Sequence, residues 1–323
     1  MARAASLGSA KVVVTLGEIL IEIMATRRGQ SFLGPGELIG PYPSGAPAIF
    51  IDQVARLGQP CGMISCVGDD DFGVLNRERL RADGVDVSAI ATHPDAPTGS
   101  AFVTYQDNGD RHFVFNIQHS ASGHIKLTDA ALALLKRCDH LHIMGTSLIS
   151  SPIMAATRRA IEEVKASGGT VSFDPNSRKE LPRESELADF TKFILANCDL
   201  VLPSGGELLS LTGETTEEAA IASLLDGGTA AVVVKHGADG ASYHDADGAI
   251  HAAPLAVDEV DPTGAGDVFD ATFVVLWLRG IPPPESLRYA NASGARNVLF
   301  KGPMEGVASL PDLEMWLAAW SLR

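Results

Sequence analysis

The amino-acid sequence predicts an α/β fold: a mostly parallel central sheet with helices on both faces and a small antiparallel β flap. Three observations predict it. Strand-length apolar runs lack polar alternation, as strands buried on both faces do. These runs take turns with stretches of helical spacing, the order that builds a layered α/β body. One segment instead reads as a hairpin around Asn108-Gly109.

Taken in order, Val12 to Leu16 is a buried strand, and Glu18 to Met24 alternates like a strand of the flap. Ala46 to Leu57 has helical spacing and stops at Gly58. Met63 to Val67 is a strand, and Phe72 to Ala82 a helix ending near Gly84. Ala101 to Tyr105 and Arg111 to Phe115 are the arms of the hairpin. His140 to Met144 is a strand, after which Pro152 opens a helix that runs to about Ala166 and stops at Gly168-Gly169. Val171 to Phe173, Leu200 to Leu202 and Ala231 to Val234 are further buried strands, and Ala271 to Leu278 is apolar enough for a buried helix. No repeat or linker divides the chain, so residues 1–323 are expected to form one domain. The flap, from about 18–43 and 97–118, is expected to be a lid inserted in it.

Composition bounds the function. With 46% hydrophobic and 20% charged residues, the chain is too apolar to be disordered. At this length it buries roughly 75% of its unfolded surface, so it needs no disulfide or metal to fold. A net charge of −15 argues against nucleic acid or an anionic membrane as partner. A small anion remains open, because backbone amides can bind one inside an acidic protein. Cys61, Cys66, Cys138 and Cys198 form no CxxC and lie in apolar runs, which suggests reduced, buried thiols in a cytoplasmic protein. Met1 to Ala10 shows no signal-peptide pattern, and apolar runs such as Phe273 to Leu278 fall far short of the ~20 residues of a membrane helix.

Several chemistries find no motif. There is no GxxxxGK[ST] and no HExxH. Gly34 to Gly40 places its third glycine one residue too late for a dinucleotide fingerprint and follows no strand, so it reads as a loop. His140 and His142, two apart on a strand, face one side and suit packing or site lining better than metal ligation. Trp277, Trp316 and Trp320 lie on apolar helical faces and read as core.

The strongest signal is Asp261-Pro-Thr263-Gly264-Ala265-Gly266-Asp267-Val-Phe269, followed by the apolar helix. Two glycines let the backbone approach a ligand, and the free first amides of the helix point along its positive end. Such a turn suits a phosphoryl group in transfer, with Asp267 placed to accept the proton of an attacking hydroxyl. A first-turn Asp and a Gly-x-Gly also occur for stability alone, so the local pattern admits both uses.

This motif resembles the C-terminal signature of the ribokinase-like (PfkB) carbohydrate kinases. The resemblance continues along the chain in the family's order. It takes in Val13 to Ile21 (VVTLGEILI) as the first strand, then Gly45-Ala46-Pro47-Ala48 with Ala55 to Gly58, and Val67 to Gly73. Pro97-Thr98-Gly99, Asp174-Pro175-Asn176-Ser177-Arg178 and Val233 to Gly240 follow. It implies a ribokinase-like three-layer sandwich and an ATP-dependent, Mg2+-requiring sugar kinase. Asp267 would be the base, and the amides of Gly264, Ala265 and Gly266 the anion hole. Glu22, Ser44, Gly45, Ala46, Asn176 and Arg178 would hold the sugar or lie near the reacting groups. Lys235, Gly237, Gly240 and Asn291 would surround the nucleotide, and Glu207 would stand near Mg2+. Asp261 and Thr263, with carbonyls near Asn297, Phe300 and Gly302, would be the equivalents of a monovalent-cation site, although Gly306 stands where a hydroxyl is expected. An apolar outer face of the lid would suggest a homodimer through it, and the alternation in Phe102, Thr104, Phe113 and Phe115 permits this.

Three positions depart from the family pattern: Ser44-Gly45 for a Gly-Gly pair, Ile49 for an asparagine, and Glu22 for an aspartate. They alter contacts to the sugar and so bear on specificity. Within the family the chain looks most like the 2-keto-3-deoxygluconate kinase and fructokinase branch. The expected substrate is a keto-sugar acid, phosphorylated on a primary hydroxyl, with Arg178 or Arg111 on its carboxylate. A ketohexose such as fructose or tagatose is the alternative, followed by a nucleoside kinase and a non-catalytic sugar-binding protein of the same fold.

Overall fold

The computed structural model describes residues 10–106, 111–177 and 186–320. The Asn108-Gly109 turn and Arg178 lie outside the described residues. The chain begins with β1 (Val13–Leu16), β2 (Leu20–Ala25), β3 (Leu38–Ser44), α1 (Ala46–Arg56), β4 (Cys61–Gly68), α2 (Asp71–Asp83) and β5 (Ile90–His93). It continues with β6 (Gly99–Tyr105), β7 (Arg111–Asn116), α3 (Asp129–Leu135), β8 (His140–Met144), α4 (Ser151–Ala166), β9 (Thr170–Asp174), α5 (Leu187–Leu195) and β10 (Leu200–Val201). Next come α6 (Gly205–Thr212), α7 (Glu217–Asp226), β11 (Ala231–Lys235), β12 (Ala241–Asp245) and β13 (Gly248–Ala252). The last helices are α8 (Ala265–Leu278), α9 (Pro283–Asn297) and α10 (Leu310–Trp320).

The large sheet has the order β13-β12-β11-β10-β9-β8-β1-β4-β5. Pairing is parallel from β11 across to β5, and β12 and β13 add an antiparallel hairpin at one edge. Side chains along a strand point to alternate faces. Val232 and Val234 of β11 accordingly join the core packed by α3, α4 and α5, while Val233 joins the core of α1, α8 and α9 on the other face. With an apolar core on each face, Ala231 to Val234 shows no polar alternation. Local chemistry sets the helix ends. The Asp70 side chain accepts the Gly73 amide to cap α2, and Gly84 stops that helix at φ 104°.

The small sheet has the order β3-β2-β6-β7. β2 pairs antiparallel with β3 and parallel with β6, and β6 with β7 is the expected hairpin. Two segments differ from the sequence reading. Val13 to Ile21 is not one strand: β1 ends at Leu16, and from Leu20 the chain runs in β2 of the other sheet. Gly34 to Gly40, expected as a loop, runs into β3 at Leu38. Pro41 and Pro43 concealed that strand. β3 is an edge strand, where a residue without N–H is tolerated.

The hairpin register pairs Ala101 with Phe115 and Val103 with Phe113, and both phenylalanines line a cavity between the sheets. They therefore do not belong to an outer face with Phe102 and Thr104. His140 and His142 are fully buried packing residues that share the Ser172 hydroxyl at 2.7 Å each, and His142 stacks on Phe50. Burial pushes His140 down to about 3. The four cysteines are free and buried. Among the described residues no helix is long and apolar enough to cross a membrane.

Candidate active site

From β1 the sheet grows one way through β4 and β5 and the other way through β8 to β11. Ligand crevices of α/β sheets form where the order reverses, beyond the carboxyl ends of the strands. Those ends deliver Glu18 after β1, Thr146 after β8, Asp174 and Asn176 at the end of β9, and Lys235 at the end of β11. Helix α8 points its N-terminus into the same crevice, with Gly264 as its first flanking residue.

Gly264 has φ 82°, and a Cβ there would meet the Pro303 carbonyl oxygen at 2.6 Å. Only glycine fits both the left-handed backbone and that approach. Of the three expected anion-hole amides, that of Ala265 makes a long 3.4 Å bond to the Pro262 carbonyl. Asp267 is 5% exposed in the first turn of α8, and its Oδ1 accepts a 3.0 Å hydrogen bond from Asn176 Nδ2. Gly45, before α1, has φ 114°, and a Cβ there would meet the Glu18 carbonyl at 2.6 Å, so glycine lets α1 abut the end of β1.

Two cavities meet at this turn. The smaller, about 50 Å3, lies beneath the small sheet and is lined by Glu18, Glu22, Ser44, Gly45, Ala46, Ile49, Phe113, Phe115, Thr146, Gly264 and Asp267, among others. The larger, about 450 Å3, is lined by Lys235, Gly237, Gly240, Ala265, Gly266 and Asn291 together with apolar Leu255, Val257, Phe269 and Val298. The structure therefore gathers many of the expected residues into two groups on either side of one helix N-terminus, while Asn176, Glu207 and Asp261 line neither cavity.

The smaller cavity is acidic. Its charged lining residues are Glu18, Glu22 and Asp267. Burial raises Glu18, opposed by a hydrogen bond from the Ser147 hydroxyl. Burial, and then the charge of Asp261, push Glu22 up to about 7, while Ser44, Arg111 and Thr263 pull it down. Ser44 Oγ donates to Glu22 Oε2 at 3.1 Å, and Thr263 Oγ1 to Oε1 at 3.4 Å. Arg111 of β7 donates to Thr263 Oγ1 at 3.1 Å, so it engages the residue just before the glycine turn. Glu18, Thr146, Phe113 and Phe115 were not singled out as site residues from sequence. The Gly17-Glu18 pair at the end of an apolar strand was the available signal for the first.

Polar residues of the larger cavity also make contacts within the protein. Lys235 Nζ does not stand free in it: it donates to Asp174 Oδ2 at 2.8 Å and Asp270 Oδ2 at 2.7 Å. Burial disfavours that ammonium, but the two carboxylates more than offset this and raise its pKa. Asn291 Nδ2 donates to the carbonyls of Ala252 and Ala253 at 3.3 and 3.0 Å, so it fastens the end of β13. Glu207 completes the capping box of α6: its Oε2 accepts from Ser204 N and Oγ, and its Oε1 from Ser177 N at 2.6 Å. Both oxygens are thus committed to protein donors.

The expected cation residues do converge. Asp261 accepts from the Thr263 and Gly302 amides, each at 3.1 Å, and Asn297 Nδ2 donates to the Thr263 carbonyl. Asn297 Oδ1 is buried with no hydrogen-bond partner, and a Cβ on Gly306 would lie 2.6 Å from it. Asn297 thus fills the space where a hydroxyl was expected at residue 306. Among the described residues no group of three or more His, Cys, Asp or Glu is placed to hold a metal ion.

The chain is similar to known proteins over nearly its whole length. The model of the pfkB family carbohydrate kinases matches residues 10–309. Fructokinase-1 of Oryza sativa subsp. japonica is 33% identical over 316 residues, covering 94% of this chain and 96% of that one. In structure the chain is similar to an E. coli protein provisionally named ribokinase II, solved with ATP and Mg2+. The TM-score is 0.90 and the identity 49%, over 96% of this chain and 99% of that one. It is also similar to a fructokinase from Vibrio cholerae O395 bound to fructose, ADP and calcium. There the TM-score is 0.84 and the identity 28%, over 96% of this chain and all of that one.

Proposed function

This chain belongs to the pfkB family of carbohydrate kinases, and from that premise we propose that it transfers the γ-phosphoryl group of ATP to a primary hydroxyl of a neutral ketohexose, with fructose first. The sugar takes the smaller cavity and the nucleotide the larger. The observation that carries this reading is the charge of the smaller cavity. Among the described residues, its charged lining residues are all carboxylic acids. A sugar acid would bring a negative charge into a space where burial already disfavours charge on Glu18 and Glu22, with Asp267 beside them. Buried carboxylates instead suit the hydroxyls of a neutral sugar, from which each can accept a hydrogen bond. The curated fructokinase relatives support the same choice over the sugar acid expected from sequence.

In this reading Asp267 accepts the proton of the hydroxyl as its oxygen attacks the γ-phosphorus. The new O–P bond forms while the bond to the β,γ-bridging oxygen breaks, and ADP leaves. The amides opening α8 stabilise the charge on the phosphoryl oxygens in transfer. The small sheet, as a lid, keeps water from competing with the sugar. A Mg2+ ion, which the E. coli neighbour binds with ATP, would neutralise phosphate charge. It needs no protein cage, because it usually keeps several waters and the nucleotide's own oxygens. A potassium ion would find the unpartnered Asn297 Oδ1 beside Asp261. We further assign a homodimer through the small sheet, whose Leu38, Ile39 and Val114 are exposed, and a cytoplasmic setting that keeps the cysteines reduced.

The test is ADP release with fructose, tagatose, ribose, 2-keto-3-deoxygluconate and adenosine. Ribose enters because of the ribokinase II neighbour. Fructose or tagatose is expected to give the highest kcat/KM. A preference for the acid would sink the reading. Asp267→Asn is expected to bind nucleotide normally and lose about 10²–10⁴ in kcat, and unchanged turnover would remove Asp267 from its role.

A further inference from the structure

Asn176 was expected among the groups around the sugar, yet its side-chain amide reaches the protein's own carboxylate. Nδ2 donates to Asp267 Oδ1 at 3.0 Å. Asn176 is 9% exposed and holds φ 34°, alone among the described non-glycine residues in having a positive φ. Asparagine tolerates that backbone better than most side chains do. Its backbone is held in turn. Asn176 N donates to Asp174 Oδ1 at 3.0 Å, and Asp174 Oδ2 accepts from Lys235 Nζ. Lys235 also reaches Asp270 Oδ2, three residues beyond Asp267 on α8. The contacts close into a ring through the ends of β9 and β11 and the first turns of α8.

We propose that Asn176 is a positioning residue for Asp267, held by the Asp174–Lys235–Asp270 cluster so that its amide orients the base and favours its ionised form. The inference rests on Asp267 being the base. An amide donated to one carboxylate oxygen restrains the orientation of the side chain and favours its charged form. Among the described residues, Glu18 after β1 and Glu22 on β2 share its cavity, and Arg111 of β7 lies beyond Thr263. The carboxyl groups among them favour protonation, so a dedicated donor has an effect to oppose.

Asn176→Gly separates side chain from backbone, since glycine accepts φ 34° and keeps the amide to Asp174. It is expected to lower kcat by about 10- to 100-fold, the loss of one hydrogen bond to a charged group. The sugar KM should stay near that of the parent, and the acidic limb of the kcat–pH profile should move up by about one pH unit. Asn176→Asp, which places a like charge against Asp267, should cost more and move the limb further. ATP-dependent thermal stabilisation reports that each variant is folded. A raised sugar KM with unchanged kcat would make Asn176 a sugar contact and overturn the proposal, as would an unmoved pH limb. Asp267→Asn keeps the two ideas apart: loss of turnover there with an unaffected Asn176→Gly defeats only the positioning role, whereas an active Asp267→Asn defeats the assignment of the base.

Discussion

Glu22 gives the sharpest quantitative test. Its pKa rises from 4.5 to about 7 because it is buried and shares its surroundings with Asp261. A raised folded-state pKa means that the folded state holds the proton more tightly than the unfolded state. The stabilising contribution is therefore complete below pH 4.5 and is lost as pH rises through about 7. The gap of about 2.5 pH units corresponds to about 3 kcal/mol of destabilisation once the group is ionised. Glu22→Gln keeps the shape, stays neutral and can retain the Ser44 hydrogen bond. Relative to the parent, it should gain about 1 kcal/mol at pH 5 and about 3 kcal/mol at pH 8. With an unfolding entropy of about 2.1 cal/mol/K per residue over 323 residues, those gains raise Tm by roughly 1 °C and 4–5 °C. Calorimetry at both pH values in potassium-free buffer reads the difference, in which the other titrating groups cancel. A gain independent of pH, or a variant that melts lower at pH 8, would refute the reasoning. The same variant should bind fructose more weakly, because a strained carboxylate is kept for its ligand.

Two further outcomes follow from the packing. Lys235→Met leaves Asp174 and Asp270 buried without their counter-ion, at side-chain exposures of 3% and 0%. It should cost about 3–5 kcal/mol in urea unfolding, partly recovered by adding Asp270→Leu, and native-like stability in the single variant would contradict the ion-pair reading. Gly264→Ala forces a Cβ to within 2.6 Å of the Pro303 carbonyl at φ 82°. It should cost about 1–2 kcal/mol in backbone strain, and the displaced amides should lower kcat by about 10²–10³. An alanine variant with parental kcat would mean that the turn does not cradle the transferring group.

What could be read from the residues alone was what neighbours along the chain decide. The apolar strands, α1 with its glycine stop, α2 between Asp70 and Gly84, and the glycine turn before Asp267 all depend on spacing and on caps a few residues away. Their physics is local, and their order was enough to indicate the layered sheet. β3 escaped because its two prolines argue against a strand until its place at a sheet edge is known. The site's chemistry was legible only in part for a related reason. Asp267, Gly264 and Gly266 sit in one motif, but Asn176 is 91 residues from the carboxylate it holds. Lys235 lies 61 residues from Asp174 and 35 from Asp270, and only folding brings these carboxylates to it. The raised pKa of Glu22, and the gathering of Glu18, Glu22 and Asp267 around one cavity, come from desolvation and long-range approach. Those are properties of packing in three dimensions, which no interval along the chain encodes.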